Sequence, residues 1–449
     1  MGSGNFAGLA DARAAVDLEA PARKRLALLF DGGKYSELGG AGECGTAKSV
    51  VTAYGMVEGA PVYAFSQDVT QCDGAVGRLQ AKKLCRMIEL AARTGAPIVG
   101  IYDSNGAKAD EGAEVLAAYA DIMREVAAVS GVVPQIAVVA GVCAGGMALA
   151  AAAADIVIMD EKAQLFMTAP FVAGDSGAAA AENAAKSGIA HIVADGDRLM
   201  AKAREVLSIL PANNIAGLPA FEFDAPEQTQ VKSAFDAMIS VVDSDSVIEL
   251  SERFGSCVRC GFATICGSPV GFASVDGALT ADGCAKLTRH ISLCDCYTIP
   301  LVTFADTGGF DESVNGLVRE GARLAHAYAG ATTVKLAVVT GRAYGAVYSA
   351  LTANADMIFA WDGASIGALA PETAVELMYA DRISAEYSRA DAQRDYAGNE
   401  AGALAAAANG IVDSVIFPGE TRTALTDALD ALEGKRTASL PKKHANLPL

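Results

Sequence analysis

The sequence has no surplus of positive charge. Its 35 lysines and arginines are outnumbered by 53 aspartates and glutamates, which gives a net charge of -18 and a pI near 4.7. Binding to nucleic acid or to an anionic membrane surface needs cationic patches that neutralise phosphates. Both functions are therefore excluded as principal roles, and a small polyanionic ligand would need a local basic pocket.

The N-terminus lacks a basic segment followed by an apolar core, so we expect no secretory signal and a cytoplasmic location.

The ten cysteines are scattered through hydrophobic segments, which is typical of free thiols in a reducing compartment. Cys257 and Cys260, together with Cys294 and Cys296, imitate a four-cysteine zinc site. One spacing does not match the usual paired motif, so buried thiols are the preferred interpretation and no metal is expected.

One apolar stretch, residues 126–154, carries no charge and is long enough to imitate a membrane span. Five helix-breaking residues interrupt it, namely Gly131, Pro134, Gly141, Gly145 and Gly146. The stretch is therefore predicted as a turn, a buried strand at residues 136–140 and an Ala-rich helix that ends at Asp155.

The most informative feature present is an internal repeat with a period of about 200 residues. Matching residues keep their order in both halves, with offsets between 200 and 208: Gly59 with Gly267, Lys83 with Lys286, Pro97 with Pro300, Asp103 with Asp306, Gly141 with Gly341, Asp155 with Asp356, and Pro170 with Pro371. A unit this long is a whole domain rather than a solenoid repeat. The chain is therefore predicted to contain two domains related by duplication.

Val- and Ile-rich segments alternate with amphipathic helical segments in each half, which predicts βαβ units around a mainly parallel sheet, an α/β fold. The strands are predicted near residues 61–66, 98–102, 136–140 and 156–159, and near 270–275, 301–305, 336–340 and 357–361. Helices are predicted at 111–129 and 314–328. Residues 210–227 interrupt the pattern, so we place the domains at residues 1–222 and 223–449. The first 50 residues are predicted as an arm with a helix or two and a turn at residues 31–33.

Each half places a glycine-bearing turn after its third predicted strand, at residues 143–146 and 343–346. At the start of a helix, backbone N–H groups lack an intrahelical acceptor and can bind an anion or a developing oxyanion. Glycine lets the ligand atom approach the backbone closely. A single Gly pair more often marks a tight turn, but its recurrence in both halves favours a role in binding an anion or an oxyanion. Two such pockets would suit a transfer between two carbonyl-bearing partners, each stabilised as an enolate.

Several segments resemble the carboxyltransferase subunit of biotin-dependent acyl-CoA carboxylases and decarboxylases. They are residues 130–146, 187–191, 210–214, 299–310, 342–345 and 442–449, so the resemblance covers nearly the whole chain. It implies two tandem crotonase-like domains in each subunit. It also implies an active site at a dimer interface, between the first domain of one subunit and the second domain of another.

The resemblance also implies residue roles. The amides of Gly145 and Gly146 would hold the thioester oxygen of the acyl-CoA. The amides of Ala346 and Val347, beside Gly345, would hold the ureido oxygen of carboxybiotin. The family usually has Gly-Gly-Ala at this second turn, so the extra methyl group at residue 346 is expected to narrow the approach of biotin.

A second departure concerns the ligand-binding segment Gly106, Ala107 and Lys108, where the family usually has an arginine in place of Lys108. Lysine is a point charge without the bidentate fork of arginine, so the contact made there is expected to differ. The terminal Lys442, Lys443 and His444 could hold a phosphate or form a solvated basic tail.

The implied chemistry needs no side-chain nucleophile, which agrees with a content of only four histidines. Carboxybiotin releases CO2, the biotin enolate removes the α-proton of the acyl-CoA, and the acyl enolate attacks CO2. The sequence has no Met-Lys-Met biotin attachment site and no Gly-rich ATP-binding unit. Biotin is therefore expected on a separate carrier protein, with a biotin carboxylase or a membrane decarboxylase subunit as a further partner. A homo-oligomer built from dimers, such as a hexamer, is expected.

Several alternatives stay open. The same chemistry reversed would serve a sodium-pumping, biotin-dependent decarboxylase. A biotin-independent hydratase, isomerase or thioesterase would need a positioned acid or base, for which Glu111 and Glu114 are candidates. A non-catalytic acyl-CoA-binding scaffold is a third possibility. Ser365 lies in a G-x-S-x-G pattern, but Ala370 and Pro371 follow where a helix should begin, which argues against a serine hydrolase. The acyl group, acetyl or propionyl, is expected to depend on residues such as Tyr348 and Ser349.

Overall fold

The computed structural model describes residues 16–39, 48–174, 177, 179–226, 230–311, 316–438, 441 and 446. The chain divides into two compact units, Met1–Gly217 and Leu218–Leu449. The predicted domains, 1–222 and 223–449, divide the chain at a nearby position. The terminal residues 442–444, considered above as a phosphate site, lie outside the described residues.

The first unit is a single mixed sheet covered by helices. Its strands are β1 Tyr35–Leu38, β2 Val50–Val57, β3 Ala60–Gln67, β4 Ile98–Ser104, β5 Gln135–Ala144, β6 Ile156–Asp160, β7 Gln164–Phe166 and β8 Ile192–Ala194. The order across the sheet is β1-β2-β3-β4-β5-β6-β8, with β7 paired to β5. Strands β1 to β3 are antiparallel, and β3 to β8 are parallel.

The helices of this unit are α1 Pro21–Leu29, α2 Arg78–Thr94, α3 Glu114–Val129, α4 Gly146–Ala152, α5 Pro170–Ala173, α6 Ala181–Lys186 and α7 Gly196–Ile209. Helix α2 buries Leu84, Met87, Ile88 and Ala91, which recur at helical spacing on one face. These residues and the inner face of α3 belong to the core cluster formed with β4, β5 and β6. The α/β interpretation of the first half is therefore confirmed.

The second unit repeats this architecture. Its strands are β9 Ile248–Leu250, β10 Val258–Ile265, β11 Ser268–Asp276, β12 Leu301–Thr307, β13 Lys335–Tyr344, β14 Met357–Trp361, β15 Ser365–Gly367 and β16 Ser414–Ile416, in the order β16-β14-β13-β12-β11-β10-β9 with β15 paired to β13. Its helices are α8 Ala234–Ile239, α9 Ala281–Cys296, α10 Leu317–Gly330, α11 Ala346–Leu351, α12 Pro371–Met378, α13 Arg389–Asn399, α14 Ala403–Ala408 and α15 Thr421–Leu432.

The repeated glycines Gly59 and Gly267 lie in two-residue hairpin turns. Glu58 and Gly59 join β2 to β3 with φ angles of 49° and 75°, and Cys266 and Gly267 join β10 to β11 with φ angles of 51° and 76°. Positive φ at both central residues matches the right-handed twist of the flanking strands. This requirement explains why the glycine recurs in both halves.

The predicted helix at 111–129 begins later than the sequence pattern indicated. A 3-10 turn at Ala109–Glu111 and then Gly112, with a φ of 59°, precede α3, so the helix starts at Glu114 rather than residue 111. Helix α10 starts at Leu317 after Gly316, which has a φ of 89°, and the predicted start at residue 314 lies outside the described residues. The apolar stretch 126–154 contains the end of α3, all of β5 and α4. No helix in the described part of the chain is long and apolar enough to cross a membrane.

The second unit carries an insertion between β15 and α14. Bridges join Gln164 to Ala180 in the first unit and Ser365 to Gly402 in the second. Equivalent residues are 201 positions apart at Pro170 and Pro371 and 222 positions apart at Ala180 and Gly402, so the second unit has 21 additional residues here. Helices α12 and α13 lie in this segment and form a small core of their own.

Candidate active site

The end of β5 is displaced by a bulge that recurs in β13. Pairing between β4 and β5 is regular up to Tyr102 and Val139 and resumes at Ser104 and Cys143, so Asp103 alone lies opposite three residues of β5. Pairing between β12 and β13 shifts at the equivalent place, where Asp306 alone lies opposite residues 340–342. Bulges redirect the strand that follows them, and each of these strands continues directly into a glycine-bearing turn.

In the first unit, the turn presents two backbone amides that have no acceptor within the residues that the structure describes. Gly145 adopts φ 64° and ψ -133°, which a residue with a side chain rarely adopts, and α4 begins at the next residue. The Gly145 N–H donates to the carbonyl of Phe166 at 2.9 Å, and its own carbonyl accepts the N–H of Ala148 at 3.0 Å. Among the described residues, nothing accepts the N–H groups of Gly146 and Met147.

In the second unit, the turn has the same hydrogen bonds. Gly345 adopts φ 62° and ψ -142°. Its N–H donates to the carbonyl of Gly367 at 2.9 Å, and its carbonyl accepts the N–H of Tyr348 at 3.2 Å. The N–H groups of Ala346 and Val347 have no acceptor within the described part of the chain, so this turn presents the pair of amides expected from the sequence.

The first pair differs by one residue from the sequence expectation. Gly145 was expected to supply a donor, but its N–H already contacts Phe166, so the turn presents Met147 in its place. The signal for Met147 was present in the sequence. At the local repeat offset of 200, Ala346 and Val347 correspond to Gly146 and Met147. Gly145 instead supplies the positive φ that the turn needs.

The structure gives a reason for glycine at residue 146 and alanine at residue 346. A β-carbon at Gly146 would lie 2.7 Å from Cδ1 of Tyr119 on α3. Buried positions of α3 and α10 align at an offset of 202, which pairs Ala118 with Glu320, Ile122 with Leu324, and Val126 with Tyr328. The counterpart of Tyr119 is therefore Gly321. In the first unit, tyrosine on the helix accompanies glycine at the turn. In the second unit, glycine on the helix accompanies alanine at the turn.

The segment at residues 106–108 lies against the end of β5. A β-carbon at Gly106 would lie 3.7 Å from the Cβ of Ala144. Ala107 forms a bridge with Val76, and its N–H has no acceptor among the described residues. Lys108 lies mostly buried, with Nζ 3.2 Å from Glu111 and 3.3 Å from Asp110.

The charge of Lys108 is therefore neutralised within its own loop. Burial lowers the pKa of Lys108, but the hydrogen bonds and the charge attraction to Glu111 and Asp110 together raise it above its ordinary value, so the ammonium group stays protonated. At the corresponding place in the second unit, Phe310 forms a bridge with Leu279 and Asp311 follows it. Equivalent positions of the two units thus carry residues of opposite charge, Lys108 and Asp311.

The other candidate groups do not gather at either turn. Glu111 accepts the N–H of Arg78 at 2.7 Å, and the exposed Glu114 pairs with the Arg78 guanidinium at 2.7 Å. Ser365 lies inside β15 rather than at a strand-to-helix turn. Within the described residues, no group of three or more His, Cys, Asp or Glu side chains could hold a metal ion. Cys143, directly before the first turn, is fully buried, and burial raises the pKa of its thiol, so it is not an activated nucleophile.

Two α/β repeats, each with a bulged strand that leads into an amide turn, define a class of enzymes that stabilise oxyanions with backbone donors. The chain matches the carboxyl transferase domain family over residues 20–447. It is 34% identical to methylmalonyl-CoA decarboxylase subunit alpha of Propionigenium modestum, over 95% of this chain and 93% of that protein. It is 33% identical to the propionyl-CoA carboxylase beta chain of Saccharopolyspora erythraea, over 95% of this chain and 90% of that protein.

Among solved structures, the hexameric transcarboxylase 12S with hydrolysed methylmalonyl-CoA bound is similar, with a TM-score of 0.90 and 31% identity over 95% of this chain and 92% of that chain. The chain therefore belongs to the carboxyl transferase family, and it is a biotin-dependent acyl-CoA carboxyltransferase. The crotonase-like fold expected from the resemblance is confirmed.

Proposed function

We propose that this chain moves a carboxyl group between carboxybiotin on a separate carrier protein and a small acyl-CoA, acetyl-CoA or propionyl-CoA. The observation that carries this proposal is the pair of matching turns, each with two adjacent N–H groups that lack an acceptor among the described residues. The space beside each turn agrees with a bound ligand. A β-carbon at Gly145 would meet nothing within 4 Å, and one at Gly345 would meet only the carbonyl of Ala368, at 3.4 Å.

The amides of Gly146 and Met147 hold the thioester oxygen of the acyl-CoA in this proposal. As the α-proton leaves, negative charge grows on that oxygen, and fixed donors stabilise the enolate more than the ground state. The amides of Ala346 and Val347 hold the ureido oxygen of biotin in the same way. Carboxybiotin supplies the CO2 and, once the CO2 is released, the base for the α-proton. Gly106, Ala107 and Lys108 are proposed to line the acyl-CoA side, where the Ala107 N–H is one more donor with no acceptor in the described part of the chain.

The direction of transfer is proposed to depend on the partner subunits. Relatives that carry opposite names are similar to nearly the same degree, 34% for a decarboxylase subunit and 33% for a carboxylase chain. An ATP-dependent biotin carboxylase would favour synthesis, and a sodium-pumping membrane subunit would favour decarboxylation. The resemblance supports a homo-oligomer built from dimers, and transcarboxylase 12S is a hexamer. Light scattering of the purified protein tests the oligomeric state.

The decisive experiment measures decarboxylation of malonyl-CoA and methylmalonyl-CoA by the purified protein, with and without biocytin. Ala346→Pro removes one N–H at the first residue of α11, where the proline ring fits the helix. Biocytin-stimulated turnover should fall about 100-fold to 1000-fold, as for loss of one oxyanion donor. Ala346→Gly keeps the N–H without enlarging the side chain and is the matched control.

Three outcomes are informative. Biocytin-stimulated turnover that Ala346→Pro lowers about 100-fold or more and Ala346→Gly retains supports the proposal and ranks the two acyl groups. Turnover that does not respond to biocytin indicates a biotin-independent enzyme. Binding of CoA esters without any turnover, after a retest with the cognate carrier, indicates a scaffold.

A further inference from the structure

Each unit places one aspartate inside the bulge that precedes its amide turn. Asp103 is the single β4 residue opposite residues 140–142, and Asp306 is the single β12 residue opposite residues 340–342. The two positions correspond in the repeat. The bulge lies a few residues before the amides at Gly146 and Ala346, so any movement of the bulge would be transmitted along the strand to the donors.

In the second unit, the carboxylate joins the two sides of the bulge. Oδ1 of Asp306 accepts the backbone N–H of Arg342 at 3.0 Å and Nε of the same residue at 2.8 Å. The neighbouring residue, Gly341, has no room for a side chain, because a β-carbon there would lie 2.6 Å from Cγ of Asp306. The carboxylate therefore fills the space that the bulge opens beside the glycine.

In the first unit, the same carboxylate position is neutralised by an arginine from elsewhere in the chain. The counterpart of Arg342 is Val142, which cannot form an ion pair. Instead, Nη2 of Arg25 on α1 lies 2.7 Å from Oδ2 of Asp103, and the Asp103 side chain is only 10% exposed. A β-carbon at Gly141 would overlap the Asp103 carboxylate. Each unit thus pairs its bulge aspartate with an arginine, and the two arginines occupy non-equivalent positions.

We propose that Asp103 and Asp306 are positioning residues for the two amide turns. The Asp306 carboxylate bonds across its bulge, and the Asp103 carboxylate fills the space beside Gly141, where Arg25 balances its buried charge. In this proposal, each contact holds its bulge at a fixed width. Asp103 sets the amides of Gly146 and Met147, and Asp306 sets the amides of Ala346 and Val347. The inference rests on the proposed function of these turns. The inference also assigns each aspartate to one substrate alone, Asp103 to the acyl-CoA and Asp306 to biotin.

The test compares Asp103→Asn with Asp306→Asn, which keep the side-chain shape and remove the charge. The measurements are kcat and KM for biocytin in methylmalonyl-CoA decarboxylation, Kd for methylmalonyl-CoA by calorimetry, and urea unfolding. We expect kcat to fall about 10-fold to 100-fold in both variants, the loss that a displacement of up to about 1 Å produces. Asp306→Asn should raise the KM for biocytin and leave the Kd for methylmalonyl-CoA unchanged. Asp103→Asn should weaken methylmalonyl-CoA binding and leave the KM for biocytin unchanged.

A second variant tests the Asp306 contact independently of Asp306→Asn. Gly341→Ala pushes the Asp306 carboxylate aside, so it should reproduce the effects of Asp306→Asn, and the double variant should be no worse than either one alone. Gly363→Ala is the matched control, because a β-carbon there meets nothing within 4 Å.

Equal effects of both aspartate variants on both ligands, in proportion to a loss of unfolding free energy, would overturn the inference, as would full activity in Asp306→Asn. If the wild-type protein shows no biocytin-stimulated turnover, the proposed function fails. Calorimetry of methylmalonyl-CoA binding to Asp103→Asn then decides the positioning role separately: weakened binding supports it, and unchanged binding overturns it.

Discussion

Replacing Gly146 with alanine should displace the first amide turn. The added β-carbon would lie 2.7 Å from Cδ1, 2.9 Å from Cγ and 3.1 Å from Cε1 of Tyr119. Carbon atoms pack best at about 3.5 to 4.0 Å, so the ring and the start of α4 must separate by about 0.8 Å. Overpacking of this kind costs about 1 to 3 kcal/mol of unfolding free energy. A donor displaced by up to about 1 Å can lower kcat by as much as about 100-fold.

Two assays test this prediction. Biocytin-stimulated release of propionyl-CoA from methylmalonyl-CoA gives kcat, and urea unfolding gives stability. Tyr119→Ala combined with Gly146→Ala removes the obstructing ring, so the double variant should recover at least about tenfold in kcat over Gly146→Ala, a coupling of about 1.4 kcal/mol. Wild-type kcat and stability in Gly146→Ala would refute the steric reasoning. A double variant no more active than Gly146→Ala would show that the contact with Tyr119 is not the cause.

Three further predictions concern other sites. Ala346→Gly should raise kcat/KM for biocytin by about tenfold, because one methyl group more or less in a binding pocket changes kcat/KM by at least about that factor. An unchanged kcat/KM in a biocytin titration would contradict the idea that Ala346 narrows the approach of biotin. Burial lowers the pKa of Lys83 to about 8 from an ordinary value of 10.5, and its Nζ donates to the carbonyl of Val50 at 2.6 Å. Between these pH values the unfolded chain binds more protons, so stability should rise with pH from about 8 to about 10.5, and urea titrations should show a smaller rise in Lys83→Met. Asp243 is 2% exposed and lies 2.6 Å from Arg422. Asp243→Asn leaves that guanidinium without its counter-charge, so it should lower the unfolding free energy by about 3 to 5 kcal/mol. A loss below about 1 kcal/mol in urea unfolding would contradict a buried pair.

Regular elements were predictable because their signals are local. Buried parallel strands need apolar residues on both faces, so β4 and β5 stand out as Val- and Ile-rich runs. The two glycine-bearing turns were predictable because the repeat identified them twice. The start of α3 was not, because Gly112 interrupts a pattern whose polar and apolar residues alone suit a longer helix.

Parts of the site depend on contacts that sequence spacing does not encode. The hydrogen bond from Gly145 to Phe166 shifts the available amides by one residue, and it joins residues that are 21 positions apart in the sequence. Arg25 lies far from Asp103 along the chain, so no motif links them. Periodicity also gives no indication that β4 and β5 slip in register at Asp103, because the bulge adds residues without changing their apolar character.

The capping of Gly145 by Phe166 and of Gly345 by Gly367 has an evolutionary consequence. In each half, the strand that caps the turn runs directly into the segment where the halves differ most in length, with 21 additional residues in the second. Insertions there can shift β7 or β15 and so adjust the geometry of the donors without altering any residue of the turn. After duplication, two copies of one turn could therefore diverge toward different substrates while keeping the same chemistry.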